Sequence, residues 1–212
     1  MTKNTLHYMS KQESILIRRK IDQHQALKGM VLQARNCVML DIETLGTEPG
    51  CMIRSIGAAR IKDWRITETK EWTVDLDDCA KLGLRIEPGT VRWWMRQNQE
   101  AREKMALPGG SSLRGVLLAV TAWVGDFDTI WSQGASFDFP ILKHCYSVVG
   151  VALPWKFWQE RCFRTLKQLV PPSPTITRGD SDSHKAERDA FFQSLQLLNI
   201  MQKLSPREEL EE

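Results

Sequence analysis

The run VMLDIETLG, Val38 to Gly46, opens as an unbroken apolar segment and closes on two acids, Asp41 and Glu43. A short apolar run bounded by turn residues reads as a buried strand. Successive side chains on a strand alternate between faces, so Asp41 and Glu43 share one face while Ile42 occupies the other. Two carboxylates about 4 Å apart repel by roughly 4 kcal/mol at an effective dielectric near 20. A buried strand can carry that cost where a cation relieves it, which makes the pair a candidate for sharing one. The alternative is an acidic turn with no ligand.

The 212 residues suffice for one domain with a full core and a small extension. With 42% apolar and 26% charged residues, the composition is that of an ordinary globular protein. No apolar run approaches the roughly 18 residues that span a bilayer, and MTKNTLHYMSKQES at the N-terminus lacks the apolar centre of a signal peptide. The expectation is a cytoplasmic protein with no membrane partner. Five scattered cysteines without a CxxC pair indicate neither a disulfide framework nor a zinc site, so reduced thiols are expected.

Charge is unevenly spread. Residues 1–35 carry seven basic and two acidic side chains, a net of +5, which leaves −2 for the rest of a chain whose total is +3. A basic arm on a faintly acidic body suits a polyanion gripped away from an acidic centre; a merely solvated arm is the plain alternative. Residues 205–212 form an acidic tail.

ESILIRRKIDQHQALKGMVLQ has helix-forming composition, so the arm is expected to be helical. CVMLDIET, MIRSIGAARI and TKEWTVDL read as three successive strands in an antiparallel meander, and DTIWSQ as a fourth. Thr90 is a candidate cap for a helix through VRWWMRQ, and Ser111 or Ser112 for one through LRGVLLAVTAWV. FDFPILKHCYSVV, with Pro140 tolerated in its first turn, and AERDAFFQSLQLLNIMQKL complete the helices. Strands followed by alternating helices and strands imply a mixed sheet with helices on its faces. PPSPTITRGDSDS, from Pro171, is turn and loop chemistry and is expected to be mobile.

Two further stretches contribute acids. In GASFDFP, Asp138 lies where a strand and turn give way to a helix, whose dipole favours an acid there. In HKAERDAFFQ, His184 and Asp189 are five residues apart, about 140° around a helix axis, and would not share a face. His184 is therefore expected in the preceding loop, folding back over the site, with Ala186 leaving room for that approach.

DIET, GASFD and HKAERD have the order and character of the three motifs of the DEDD exonuclease superfamily. The histidine five residues before the last aspartate resembles the DEDDh (DnaQ-like) branch, with oligoribonuclease, ribonuclease T and polymerase proofreading subunits. SIGA, TVRWWMRQNQEAR, PWKFW and RTL further resemble phage and prophage exonuclease VIII-like proteins and a mycobacterial-type exoribonuclease. The resemblance runs from about Asn36 to Leu204. It implies an α/β, ribonuclease H-like mixed five-stranded sheet flanked by helices, preceded by an N-terminal helical extension over residues 1–35. Many DEDDh enzymes have Asn four residues before the second-motif aspartate; this chain has Gly134, so contacts that depend on that Asn do not carry over.

The resemblance implies 3′-to-5′ release of nucleoside monophosphates, with DNA slightly favoured over RNA as substrate. Asp41, Glu43, Asp138 and Asp189 would neutralise two Mg²⁺ or Mn²⁺ ions in an all-oxygen site. His184, with an ordinary pKa of about 6.5, would serve as general base. Thr44, Leu45 and Phe137 beside the acids, and Arg164, are candidate substrate contacts. Trp93 and Trp94 lie about 100° apart on a helix, so one can be core while the other faces out. Trp94 is the candidate base platform, with core packing as its alternative. Nucleic acid is the expected partner, and the oligomeric state is left open, a homodimer being the form that related exonucleases often take. The competing class is a nucleic-acid-binding module without catalysis, which would have no need of a like-charge cluster.

Overall fold

The structure, a computed structural model, describes residues 31–170 and 185–204, together with residues 18, 25, 28 and 29. Five strands form one sheet: β1 (Asn36–Thr44), β2 (Ile53–Lys62), β3 (Arg65–Thr73), β4 (Thr129–Ser132) and β5 (Glu160–Cys162), in the order β3-β2-β1-β4-β5. β1, β2 and β3 pair antiparallel, as the meander requires, whereas β4 pairs parallel to β1 and β5 parallel to β4. Seven helices are described: α1 (Leu76–Lys81), α2 (Pro88–Trp94), α3 (Gln99–Ala106), α4 (Leu113–Val124), α5 (Asp138–Val148), α6 (Phe163–Leu169) and α7 (Ala186–Leu204). This is the ribonuclease H-like arrangement. Most of the basic arm, the proline-rich loop from Pro171, His184 and the acidic tail lie outside the described residues.

The alternation along β1 builds both faces of the core. Val38, Leu40 and Ile42 point into a cluster completed by α4 and α5, through Leu117, Val120, Ile141 and Leu142. Cys37 and Met39 point the other way, into a cluster with Ala59 and Ile61 of β2 and Leu197, Ile200 and Met201 of α7. Asp41 and Glu43 continue this second row. The apolar stripe of α7 covers the first part of the row, and the same helix's N-terminal turn reaches the part where the row becomes acidic.

One glycine sets how closely that turn approaches. Gly57 pairs with Asp41 across β1 and β2, and a Cβ there would lie 2.0 Å from the Ala186 carbonyl carbon. The backbone of α7 thus rests directly on the sheet at position 57. Thr69 of β3 donates to Glu187 Oε1 at 2.5 Å, which ties down the same turn from the neighbouring strand.

Several local boundaries differ from the sequence reading. β3 stops before Val74 and starts earlier, at Arg65, because Asp63 and Trp64 form a two-residue turn with φ of 48° and 65° just ahead of it. Both values lie in the left-handed region that such hairpins use, usually with Asn or Gly. Asp75 is not strand but the cap of α1, accepting from the Asp77 N–H at 2.9 Å. α2 begins at Pro88, so Thr90 lies inside it rather than capping it, whereas Ser112 does cap α4. Arg54, nearly buried, donates to the carbonyls of Val74, Leu107 and Gly109 at 2.7 to 3.0 Å and anchors the end of α3 to the sheet. All five cysteines are free thiols. Among the described residues, no helix is long and apolar enough to cross a membrane.

Candidate active site

Asp41, Glu43 and Asp189 each offer a carboxylate oxygen, and these three atoms lie within 4.8 Å of one another. β1 supplies two of them by its alternation, and α7 supplies the third from its first turn over Gly57. Asp138 stands beside this trio rather than within it: it opens α5, is 3% exposed, and accepts from the Gly134 N–H at 3.4 Å. A tight turn makes that approach, since the N–H groups of Phe137 and Asp138 both return to the Gly134 carbonyl, at 2.7 and 3.1 Å.

The electrostatics are those of a cluster of like charges. Burial is the main force raising the Asp41 pKa, followed by repulsion from Asp138, Glu43 and Asp189, against a hydrogen bond from Gln193. Glu43 is pushed up to about 8, first by burial and then by Asp189, with Lys104 of α3 opposing. Asp138 is raised to about 6 by burial, with the Gly134 N–H and the Ser132 hydroxyl opposing. Carboxylates in this condition gain most from an arriving cation.

Beside Glu43 opens a cavity of about 440 Å³, lined by Thr44, Thr47, Thr90, Trp93, Trp94 and Phe137 among others. Trp94 is 5% exposed and donates its indole N–H to the Thr44 carbonyl at 2.8 Å, so it is part of the wall. Trp93 is 44% exposed and meets Trp94 edge-on with ring centroids 4.9 Å apart. The exposed ring is therefore Trp93, not the Trp94 expected from the sequence. Thr44 turns its hydroxyl to the Gly46 carbonyl at 2.5 Å. Leu45, a candidate substrate contact from the sequence, is instead buried in the core on the α4 and α5 side of the sheet. Arg164 is exposed, and its guanidinium lies over Gly134: a Cβ at that glycine would be 3.3 Å from a guanidinium nitrogen. A larger groove of about 600 Å³, between Val31, Trp64 and Leu198, contains none of the acids and is remote from this chemistry.

His184 lies outside the described residues, but its neighbour Lys185 pairs with Glu100 of α3, and the Lys185 carbonyl accepts from the Asp189 N–H at 2.8 Å. Three contributors escaped the sequence reading: Gly57, Lys104 and Gln193. Lys104 belongs to no motif, and Gly57, although it stands in SIGA, acts like Lys104 through a contact made only in the folded sheet. Gln193 could have been found by stepping one helical turn on from Asp189.

Comparison with known proteins agrees with this geometry. Residues 36–201 match the family described as the 3′-5′ exoribonuclease Rv2179c-like domain. The chain belongs to this family. The exodeoxyribonuclease of Enterobacteria phage T4 is 27% identical over 158 residues, covering 60% of this chain and 68% of that protein. Among solved structures, the zinc-bound E. coli exonuclease I complex with single-stranded DNA superposes with a TM-score of 0.59 at 13% identity, over 81% of this chain. The chain spans only 41% of that enzyme. Exonuclease X with 5′-overhanging duplex DNA gives 0.53 at 17% identity, covering 79% of this chain and 92% of that one. The nuclease domain of 3′hExo, a DEDDh member bound to rAMP, gives 0.52 at 10% identity, covering 80% and 92%. At these identities the superpositions speak for a shared fold.

Proposed function

We propose that this exonuclease-family domain removes nucleoside 5′-monophosphates from the 3′ ends of single-stranded nucleic acid, with DNA as the favoured substrate. The observation that carries this reading is the convergence of Asp41, Glu43 and Asp189 within 4.8 Å, next to an open cavity walled by aromatic side chains. The donor set fits Mg²⁺ or Mn²⁺: every ligand is a carboxylate oxygen, and burial and mutual repulsion leave the acids in need of positive charge. Asp41, Glu43 and Asp189 would hold such ions, with Asp138 completing the set. When bound, divalent ions supply charge neutralisation at the scissile phosphate and activation of the attacking water.

The chain's own residues have separate tasks in this scheme. Trp93 gives the terminal base a stacking surface, and Arg164, beside the Gly134 turn, meets a backbone phosphate. His184, placed by the resemblance in the segment leading into α7, takes the proton of the attacking water. The DNA preference draws on the phage exodeoxyribonuclease; the family's description as exoribonuclease supports RNA as the second reading. Matched 3′-labelled DNA and RNA oligomers, digested by the parent and by Asp189→Asn in Mg²⁺, test both. Stepwise shortening from the 3′ end, faster on DNA and absent in the variant, is expected. Equal cleavage by parent and variant would end the proposal, and faster RNA digestion would exchange the substrate.

A further inference from the structure

Gln193 lies four residues beyond Asp189 in α7, one turn along the same face. It is 4% exposed and has Ala190 and Leu197 as helix neighbours, both fully buried. An apolar side chain would suit that position, because an amide taken out of water costs free energy wherever its hydrogen bonds are incomplete. Here they are incomplete. Nε2 donates to Asp41 Oδ1 at 2.8 Å, whereas Oε1 is buried without a hydrogen-bond partner among the described residues. Rotating the amide by a half-turn would set its oxygen against the carboxylate, so the donation to Asp41 fixes its orientation and leaves the acceptor bare.

We infer that Gln193 is a positioning residue of the acidic centre: its amide holds one oxygen of Asp41 and thereby turns the other toward the cation shared with Glu43 and Asp189. This rests on the metal-centre reading above. The alternatives at this position explain the choice of residue. Leucine or methionine would fill the space but leave Asp41 free to rotate, and glutamate would add another negative charge to a cluster already crowded with them. A neutral donor orients the carboxylate without competing for the cation. Because Asp189 and Gln193 share a rigid helix, one element sets both a ligand and the group that aims a second ligand. Partners that orient metal ligands in this way are commonly worth 10- to 100-fold in metal affinity.

The test uses the full chain without substrate, with free Mn²⁺ followed by electron paramagnetic resonance during titration. Four proteins are compared: the parent, Gln193→Met, which keeps the shape and removes the donor, Gln193→Asn, which keeps the amide and withdraws it by one methylene, and Asp189→Asn. Both Gln193 variants should keep the parent's circular dichroism and lose on the order of 10- to 100-fold in Mn²⁺ affinity. In oligomer digestion the loss should appear as a higher Mn²⁺ requirement, with kcat largely restored at saturating Mn²⁺. Affinity within twofold of the parent in either folded variant would overturn the inference while leaving the centre intact. Failure of both variants to fold would also overturn it, by making Gln193 a packing residue. If the parent and Asp189→Asn bind Mn²⁺ equally, the metal centre itself fails, a result distinct from the others.

Discussion

At position 57 there is no room for even a methyl group between β2 and the first turn of α7. The Cβ of Gly57→Ala would lie 2.0 to 2.2 Å from three backbone atoms of Ala186 and Glu187, and backbone cannot rotate away as a side-chain tip can. Overpacking typically costs about 1 to 3 kcal/mol, and relief here requires the first turn of α7 to lift, carrying Asp189 from the other acids. Gly57→Ala should therefore lower the Tm and abolish exonuclease activity together. Full activity in a folded variant would show that the close approach is dispensable. The two tryptophans give the opposite contrast. Trp93→Ala should leave the Tm near the parent's and raise KM for an oligomer by roughly 5- to 150-fold, the equivalent of about 1 to 3 kcal/mol of stacking. Trp94→Ala should lower the Tm, because it removes a buried ring and its bond to Thr44. If the KM effect follows Trp94 and not Trp93, the platform is misassigned. Sequence could place these rings about 100° apart but could not say which one faced the core, because that depends on the α2 start at Pro88 and on the Thr44 carbonyl.

Among the elements, those with strong internal patterns were legible and those defined by a neighbour were not. The span of α7 follows from its apolar periodicity, and β1 from an apolar run that ends on acids. β5 has three residues, Glu160–Cys162, none fully buried, and only its parallel pairing with β4 makes it a strand. The Asp63-Trp64 turn carries no Asn-Gly signal, so the start of β3 was invisible. Asp41 and Glu43 were readable as a pair on one strand face, and the gathering of all four acids only through the family resemblance, because the contacts behind it, at Gly57 and in the Gly134 turn, form only in the folded chain. α7 also offers a test of how function and core share one helix. Leu197, fully buried two turns below Asp189, lies among the apolar residues that seat the helix on β1 and β2. Leu197→Ala should cost about 2 to 5 kcal/mol yet leave kcat nearly unchanged at temperatures where the protein stays folded. A large kcat loss in folded protein would mean that the apolar stripe, and not only the first turn, tunes the site.

For the whole molecule, the acidic centre makes stability depend on pH in a direction opposite to that of most carboxylates. Glu43 has an ordinary value of 4.5 and is raised to about 8, and Asp138 goes from 3.8 to about 6. Between the ordinary and raised values the folded state holds protons that the unfolded state has released. Stability therefore falls as pH rises through that window, because it follows the protons bound by the unfolded state minus those bound by the folded state. In chelator, this centre's contribution to the Tm should be greatest below about pH 4, under the ordinary values of both acids, and should decline from there toward pH 8. Mg²⁺ reverses the trend, since it competes with those protons and binds more tightly as they leave. At one hundred times its dissociation constant it would contribute about 2.7 kcal/mol. The difference in Tm with and without saturating Mg²⁺ should thus widen steadily from pH 5 to pH 8. Asp189→Asn removes one of the repelling charges and a ligand, so it should raise the chelated Tm at pH 8 and shrink the Mg²⁺ increment. Thermal melts of parent and variant across that range, in chelator and in Mg²⁺, read out all of these signs at once. An increment that is flat with pH, or equal in the two proteins, would mean that the ion stabilising the fold is not held by these four acids.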